Sequence, residues 1–153
     1  MKTAKIAEIK EAIKNCSATS KIYIGCDSKR QTKKGKFKQI KFSSVVVIHI
    51  DSKHGADVIG FITETHDLDY GKGHRNRLLA EAYNVSELYN EIKDSIGNRP
   101  VEIHLDINSS EEFLSNIVMK EAVGIVKSLT MLDAKVKPDS FASSFAADRL
   151  LHV

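Results

Sequence analysis

Residues 21–28 read KIYIGCDS, and how that run is taken decides the fold. Strand periodicity sends Ile22, Ile24 and Cys26 to one face and Tyr23, Gly25 and Asp27 to the other. The run is a hydrophobic strand ending on a carboxylate. Toward the N-terminus, a short Ser17-Ala18-Thr19-Ser20 linker separates it from a helix expected over residues 3–15, where Ile6, Ile9 and Ile13 recur at helical spacing. In the other direction, a lysine-rich stretch containing Gly35 turns the chain into a second strand over 39–50. DSKHG at 51–55 turns it again, into a third strand over 56–65. Three strands joined by short turns make an antiparallel meander.

The rest of the chain alternates helix and strand. After a polar loop at 66–74, a helix running from 76 or 77 to about 93 carries the stripe Leu78, Ala82, Val85, Tyr89 and Ile92; Gly97-Asn98-Arg99-Pro100 stops it. VEIHLDIN at 101–108 is a fourth strand. Ser109 and Glu112 form a capping box for a helix reaching about 129. A short strand over 132–136, then Pro138, precede a last helix capped by Asp139 or Ser140. Strands that alternate with helices join a sheet in parallel, through right-handed crossovers. The expected fold is therefore α/β: a mixed five-stranded sheet flanked by helices, with an extra N-terminal helix. The 153 residues suit one domain with a substantial core, residues 1–20 being its N-terminal helix and linker.

Composition narrows the function. A chain 42% hydrophobic and 28% charged has the balance of a soluble globular protein. No apolar run reaches bilayer length, and the N-terminus lacks a signal-peptide core, so no membrane partner is expected. Cys16 and Cys26 are too few for a disulfide framework and lack metal-ligand spacing, which points to reduced thiols and a cytoplasmic location. The net charge of +3 says less than its distribution. Between Ser28 and Ile50 there is no acid, while Lys29, Arg30, Lys33, Lys34, Lys36, Lys38 and Lys41 crowd the same segment. That is either a solvated hairpin whose lysines discourage edge pairing or a loop that grips phosphate.

Four acids stand out against this background. Asp27 and Asp106 end the first and fourth strands, at the C-terminal ends where open α/β sheets place ligands. Glu81 falls roughly 50° from the centre of the apolar stripe on its helix, while Glu87, Glu91 and Asp94 point to solvent. Asp148 falls between the directions of Phe141 and Phe145 on the last helix. A carboxylate beside a core is costly unless compensated, and two on adjacent parallel strands repel, raising at least one pKa. Mg²⁺ or Mn²⁺, hard ions suited to oxygen ligands, removes that penalty. Two such ions about 4 Å apart serve phosphodiester hydrolysis with no nucleophilic side chain. Ser28, His49, His66 and His104 form no nucleophile-elbow pattern, and the histidines lack zinc spacing.

A carboxylate on the first strand of a meander, a second on the following helix, a third ending the fourth strand and a fourth on the last helix resemble the RNase H-like superfamily. The segments IYIGCDS, RLLAEAYNVSELY, VEIHLDIN and KPDSFASSFAADRL look most like the YkuK-type proteins, described as predicted RNase H-related nucleases. The likeness covers the chain from Lys21 onward. It implies strand order 3-2-1-4-5 and metal-dependent phosphodiester cleavage. It also implies that Asp27, Glu81, Asp106 and Asp148 are the catalytic, metal-binding acids, holding two Mg²⁺ or Mn²⁺ ions, with RNA, DNA or a hybrid as partner. Asp139 competes for the fourth place, although the N-cap after Pro138 suits it better.

Departures from the wider superfamily carry information too. Asp27-Ser28-Lys29 is not the Asp-x-Glu of DEDD-type exonucleases, and Ser144 stands where those enzymes have Tyr or His. A proofreading exonuclease is disfavoured. Lys137 replaces the catalytic histidine of classical RNase H in charge only. Lys29, Arg30, Lys33, Lys34, Arg75, Arg77 and Lys137 are candidates to grip the substrate backbone. His104 and Asn108 share a face with Asp106 and are candidates to orient it. Two other readings stay open: a non-catalytic nucleic-acid-binding module that retains the fold, and a dimeric junction resolvase. Monomer and homodimer are both compatible with the sequence.

Overall fold

The structure, a computed structural model, describes residues 2–33, 37–52, 55–66, 74–108, 113–137 and 139–152. Five strands form one mixed sheet: β1 (Lys21–Lys33), β2 (Phe37–His49), β3 (Ala56–His66), β4 (Val101–Asn108) and β5 (Lys135–Lys137). Their order is β3-β2-β1-β4-β5, with β1, β2 and β3 antiparallel and β4 and β5 added in parallel. This is the architecture expected from the meander and the two crossovers.

One expectation is corrected, and it matters for the site. β1 does not end at Asp27 but continues to Lys33, paired with β2 as far as Lys33↔Phe37. The basic segment is thus largely strand rather than turn. Parallel pairing with β4 covers only Ile22↔Val101 to Cys26↔Leu105. Beyond it, among the described residues, β1 has only β2 as a ladder partner. Asp27 and Asp106 are the first residues of their strands past the shared ladder, where the two strands part. β5 is also shorter than the 132–136 run expected, and it begins at Lys135.

Helices α1 (Lys2–Asn15), α2 (Arg75–Ile96) and α3 (Phe113–Thr130) pack against one face of the sheet. Ile22, Ile24 and Cys26 of β1 meet Ile9 and Ile13 of α1 and Val85 and Ile92 of α2 in a continuous core, all fully buried. Burying each isoleucine stabilises the fold by about 1.5–3 kcal/mol relative to exposure. α2 runs three residues beyond its expected end and stops at Gly97, whose φ of 58° suits glycine and whose N–H bonds to the Lys93 carbonyl. The capping box expected at Ser109 and Glu112 lies outside the described residues. Among the described residues no helix is long and apolar enough to cross a membrane.

Among the described residues, it is the C-terminal segment that covers the opposite face. This is not the regular α-helix expected: Ala142–Ala147 wind as a π-helix, followed by the short α4 (Asp148–Leu151). Hydrogen bonding five residues apart puts Ala142 and Ala147 on one side, and both are fully buried. Phe141, expected on the apolar face, is instead partly exposed and stacks edge-on against Tyr23 and His104. Close approach to the sheet depends on Gly60. A Cβ there would stand 2.7 Å from Val45 Cγ1, 2.8 Å from Leu150 Cδ2 and 2.9 Å from the Ser44 carbonyl oxygen. Gly60→Ala is therefore expected to lower unfolding free energy by about 1–3 kcal/mol in urea titrations and to push α4 off the sheet. An unchanged midpoint would mean that α4 makes room for a methyl group without loss.

Candidate metal centre

β1 presents Asp27 and Ser28 to opposite faces of the sheet, and the site is built on that alternation. Asp27 faces the C-terminal segment and Ser28 faces α2. Ser43, directly across from Asp27 on β2, donates to the Ala147 carbonyl at 2.6 Å. That bond anchors the chain one residue before Asp148, and the Asp148 side chain hydrogen-bonds the Asp27 carboxyl. Asp106, two residues beyond His104 on β4, lies close enough to act electrostatically on both Asp27 and Glu81. Asp139 instead lines a separate hollow with Glu102, Lys135 and Phe141. Of the two candidates for the fourth acid, Asp148 is the one beside Asp27.

Glu81 comes to the same place from the helical face. It sits in the second turn of α2 at 1% exposure, as its position inside the apolar stripe predicts. The Ser28 hydroxyl donates to Glu81 Oε1 at 2.5 Å, while the Ser28 N–H donates to Asp27 Oδ1 at 2.8 Å. One residue thus ties together acids on opposite faces of the sheet. Arg77 completes the link: its Nη1 donates to the Ser28 hydroxyl at 2.7 Å and lies 3.8 Å from Glu81 Oε1. Ser28 is the residue whose role sequence reasoning missed. The available signal was its place beside Asp27 on the α2 face.

The electrostatics are those of crowded carboxylates. Asp27 is 7% exposed; burial, with the neighbouring Asp106 and Asp148, raises its pKa to about 7 despite the Ser28 N–H. Burial raises Glu81 to about 8; Asp27 and Asp106 push in the same direction, while Ser28 and Arg77 oppose them. Lys137 Nζ sits 2.8 Å from Asp106 Oδ1. With Arg77 on Glu81 and Lys137 on Asp106, side chains supply part of the missing positive charge. Among the described residues no three His, Cys, Asp or Glu side chains are gathered as a metal-ready cluster. Yet Glu81 Oε2 is buried without a hydrogen-bond partner, an acceptor left over beside two further carboxylates. An all-oxygen set with an unspent buried acceptor fits a hard divalent cation.

The remaining candidates divide. His104 is fully buried. Its Nδ1 accepts the Ala142 N–H at 3.1 Å, which leaves the ring proton on Nε2, 3.1 Å from Glu102 Oε2. Burial lowers its pKa, so the neutral ring suits these bonds. Its observed partners fix the C-terminal segment to the sheet. Arg75 pairs with Glu121 of α3 at 2.5 Å. Lys29 is exposed on the Asp27 face, whereas Arg30 points to the Ser28 face. Lys33 and Asn108 are described as strand residues by their backbone only; Lys34 falls wholly outside the described residues.

Residues 4–152 match the family model described as Ribonuclease H-like. The chain belongs to the ribonuclease H-like family. The match takes in α1, which the resemblance read from Lys21 onward left aside. The sheet order is therefore that of a ribonuclease H-like chain. No curated protein and no solved structure matches it.

Proposed function

We propose that this ribonuclease H-like protein is a Mg²⁺- or Mn²⁺-dependent nuclease that hydrolyses phosphodiester bonds of RNA, DNA or a hybrid. The observation that carries the reading is the unpartnered Glu81 Oε2, buried beside Asp27 and Asp106. Asp27, Glu81, Asp106 and Asp148 would hold the metal. Bound there, a divalent ion supplies Lewis-acid stabilisation of the negative charge that develops on phosphodiester oxygens. Ser28 and Arg77 fix the carboxylate plane of Glu81. Ser43 and His104 hold the C-terminal segment so that Asp148 stays beside Asp27. Lys137 neutralises Asp106 and places a positive charge at the mouth of the site, where an anionic substrate approaches. Lys29, Lys33, Lys34, Arg75 and Arg77 belong to the same proposal as backbone-gripping cations; Arg30, turned to the helical face across from the buried Ile40, is left out of it.

A second reading has its own support. Arg77 and Lys137 already occupy the neighbourhood of two acids, an arrangement that suits a non-catalytic nucleic-acid-binding module. Labelled single strands, duplexes, hybrids and four-way junctions, incubated with wild type or Asp106→Asn in Mg²⁺, Mn²⁺ or EDTA, separate the two. The nuclease cleaves at least one substrate, and loses that activity in EDTA and in the variant. Salt-sensitive binding by both proteins without turnover identifies the binding module. Cleavage confined to junctions by a dimeric protein identifies a resolvase.

A further inference from the structure

The β1–β2 arm has two faces, and they differ in chemistry. Opposed residues of an antiparallel pair point to the same side. Ser28, Phe42, Arg30 and Ile40 therefore share the helical face, where Phe42 and Ile40 are buried. Asp27 and Ser43 lie on the other, and two residues further along that same face Lys29 stands directly opposite Lys41. One step beyond, Gln31 stands opposite Gln39. The C-terminal segment covers this face as far as Ser43, through the Ala147 carbonyl.

Two lysines in direct cross-strand register, with Cβ atoms about 5 Å apart, repel each other and weaken the arm. Glu64 of β3 adjoins Lys41, and His66 adjoins Gln39. Glu64 offsets one of the two ammonium charges and leaves the other. The spacing is also informative. Two strand residues span about 7 Å, so the Lys29–Lys41 pair stands roughly one nucleotide from Asp27 and points the same way. Gln39 keeps a buried amide oxygen without a partner further along the row.

We infer that this face of the arm is a track for the sugar–phosphate backbone of a polynucleotide, with Lys29 and Lys41 clamping the phosphate next to the one at the acids. The structure thereby distinguishes Lys29 and Lys41 from Arg30, which shares their basic segment but faces away. The assignment rests on the phosphodiester reading of the neighbouring acids. It also gives a use for a like-charge pair in a strand ladder that Glu64 offsets on the Lys41 side alone.

The test is equilibrium binding by fluorescence anisotropy, in EDTA so that turnover plays no part, with labelled single-stranded RNA, single-stranded DNA and duplexes. Lys29→Glu is expected to weaken binding about tenfold or more while raising the melting temperature by about 2 °C, because it turns a repelling pair into an attracting one. Opposite signs in binding and stability exclude misfolding as the cause. The Lys29→Gln/Lys41→Gln double variant should lower the slope of log affinity against log salt by roughly 1.5–2. Arg30→Glu should change affinity by less than about threefold. Wild-type affinity in Lys29→Glu, an equal loss in Arg30→Glu, or no binding by wild type overturns the track. Failure of the nuclease reading looks different: nucleic acid is bound along this face and never cut.

Discussion

Asp27→Asn is expected to reduce metal-dependent cleavage about a thousandfold or more and, at pH 8 in EDTA, to melt several degrees above wild type. Under the proposed metal-dependent chemistry, the first effect would follow from losing a charged ligand to a cation that would stabilise the transition state by several kcal/mol, each 1.4 kcal/mol or so being tenfold in rate. The second follows from the same residue seen without metal. Asp27 is nearly buried, with Asp106 and Asp148 beside it, and its pKa is raised to about 7. At pH 8 the folded chain holds a carboxylate there, and every tenfold weakening of the acid costs it roughly 1.4 kcal/mol, a few kcal/mol in all. Asparagine is isosteric and keeps both bonds: its carbonyl accepts from the Ser28 N–H, and its amide donates to Asp148. Calorimetry in EDTA and initial rates in Mg²⁺ check the two halves. A variant that is inactive and also less stable than wild type would make Asp27 an ordinary structural carboxylate, and the centre would lose its main support.

The opposition between activity and stability at one residue is what a functional site predicts, and it locates what was legible in the sequence. Asp27 and Asp106 stood out because each follows an alternating apolar run, and parallel strands bring equivalent positions together. Glu81 stood out because a helix with a clean apolar stripe has no reason to hold an acid within it. Asp148 was selected over Asp139 by capping logic, and the structure sets it against Asp27. These are local or periodic signals, and periodicity survives in one dimension.

Other features depended on contacts that no window of sequence contains. β1 continues past Asp27 because β2 supplies its ladder; lysines and a threonine say little about strand length. The π-winding of Ala142–Ala147 puts two buried alanines against the sheet, and nothing in ASSFAA separates it from an α-helix. The Ser28 bridge, the Ser43 anchor and the Lys137–Asp106 pair join residues from different elements. Sequence reasoning found the acids, and tertiary structure supplied their counter-charges.

Those counter-charges shape the second large effect. Metal-free wild type is expected to lose stability as pH rises from about 4.5 to about 8, and Glu81→Gln to remove much of that slope. The pKa of Glu81 in the folded chain is raised to about 8, from the 4.5 of a freely solvated glutamate. Between those values the folded chain holds a proton that the unfolded chain has released, so each increment of pH favours unfolding. The contribution is fully present below the unfolded pKa and is lost as pH passes through the folded one. Asp27, raised to about 7, acts in the same sense over a narrower window. Glutamine at 81 still accepts from the Ser28 hydroxyl but never ionises. The variant should therefore match wild type near pH 5 and exceed it near pH 8.5 by an amount on the order of a few kcal/mol, less the lost attraction to Arg77. If the acids bind metal as proposed, Mg²⁺ is expected to reverse the trend in wild type, its stabilisation growing with pH as protons cease to compete. Urea titrations at pH 5, 6.5 and 8.5, in EDTA and in Mg²⁺, give every comparison. Parallel pH curves for the two proteins would mean that Glu81 is ionised throughout, satisfied by Arg77 and Ser28. Its second oxygen would then be no ligand in waiting for a metal, and the binding-module reading would gain.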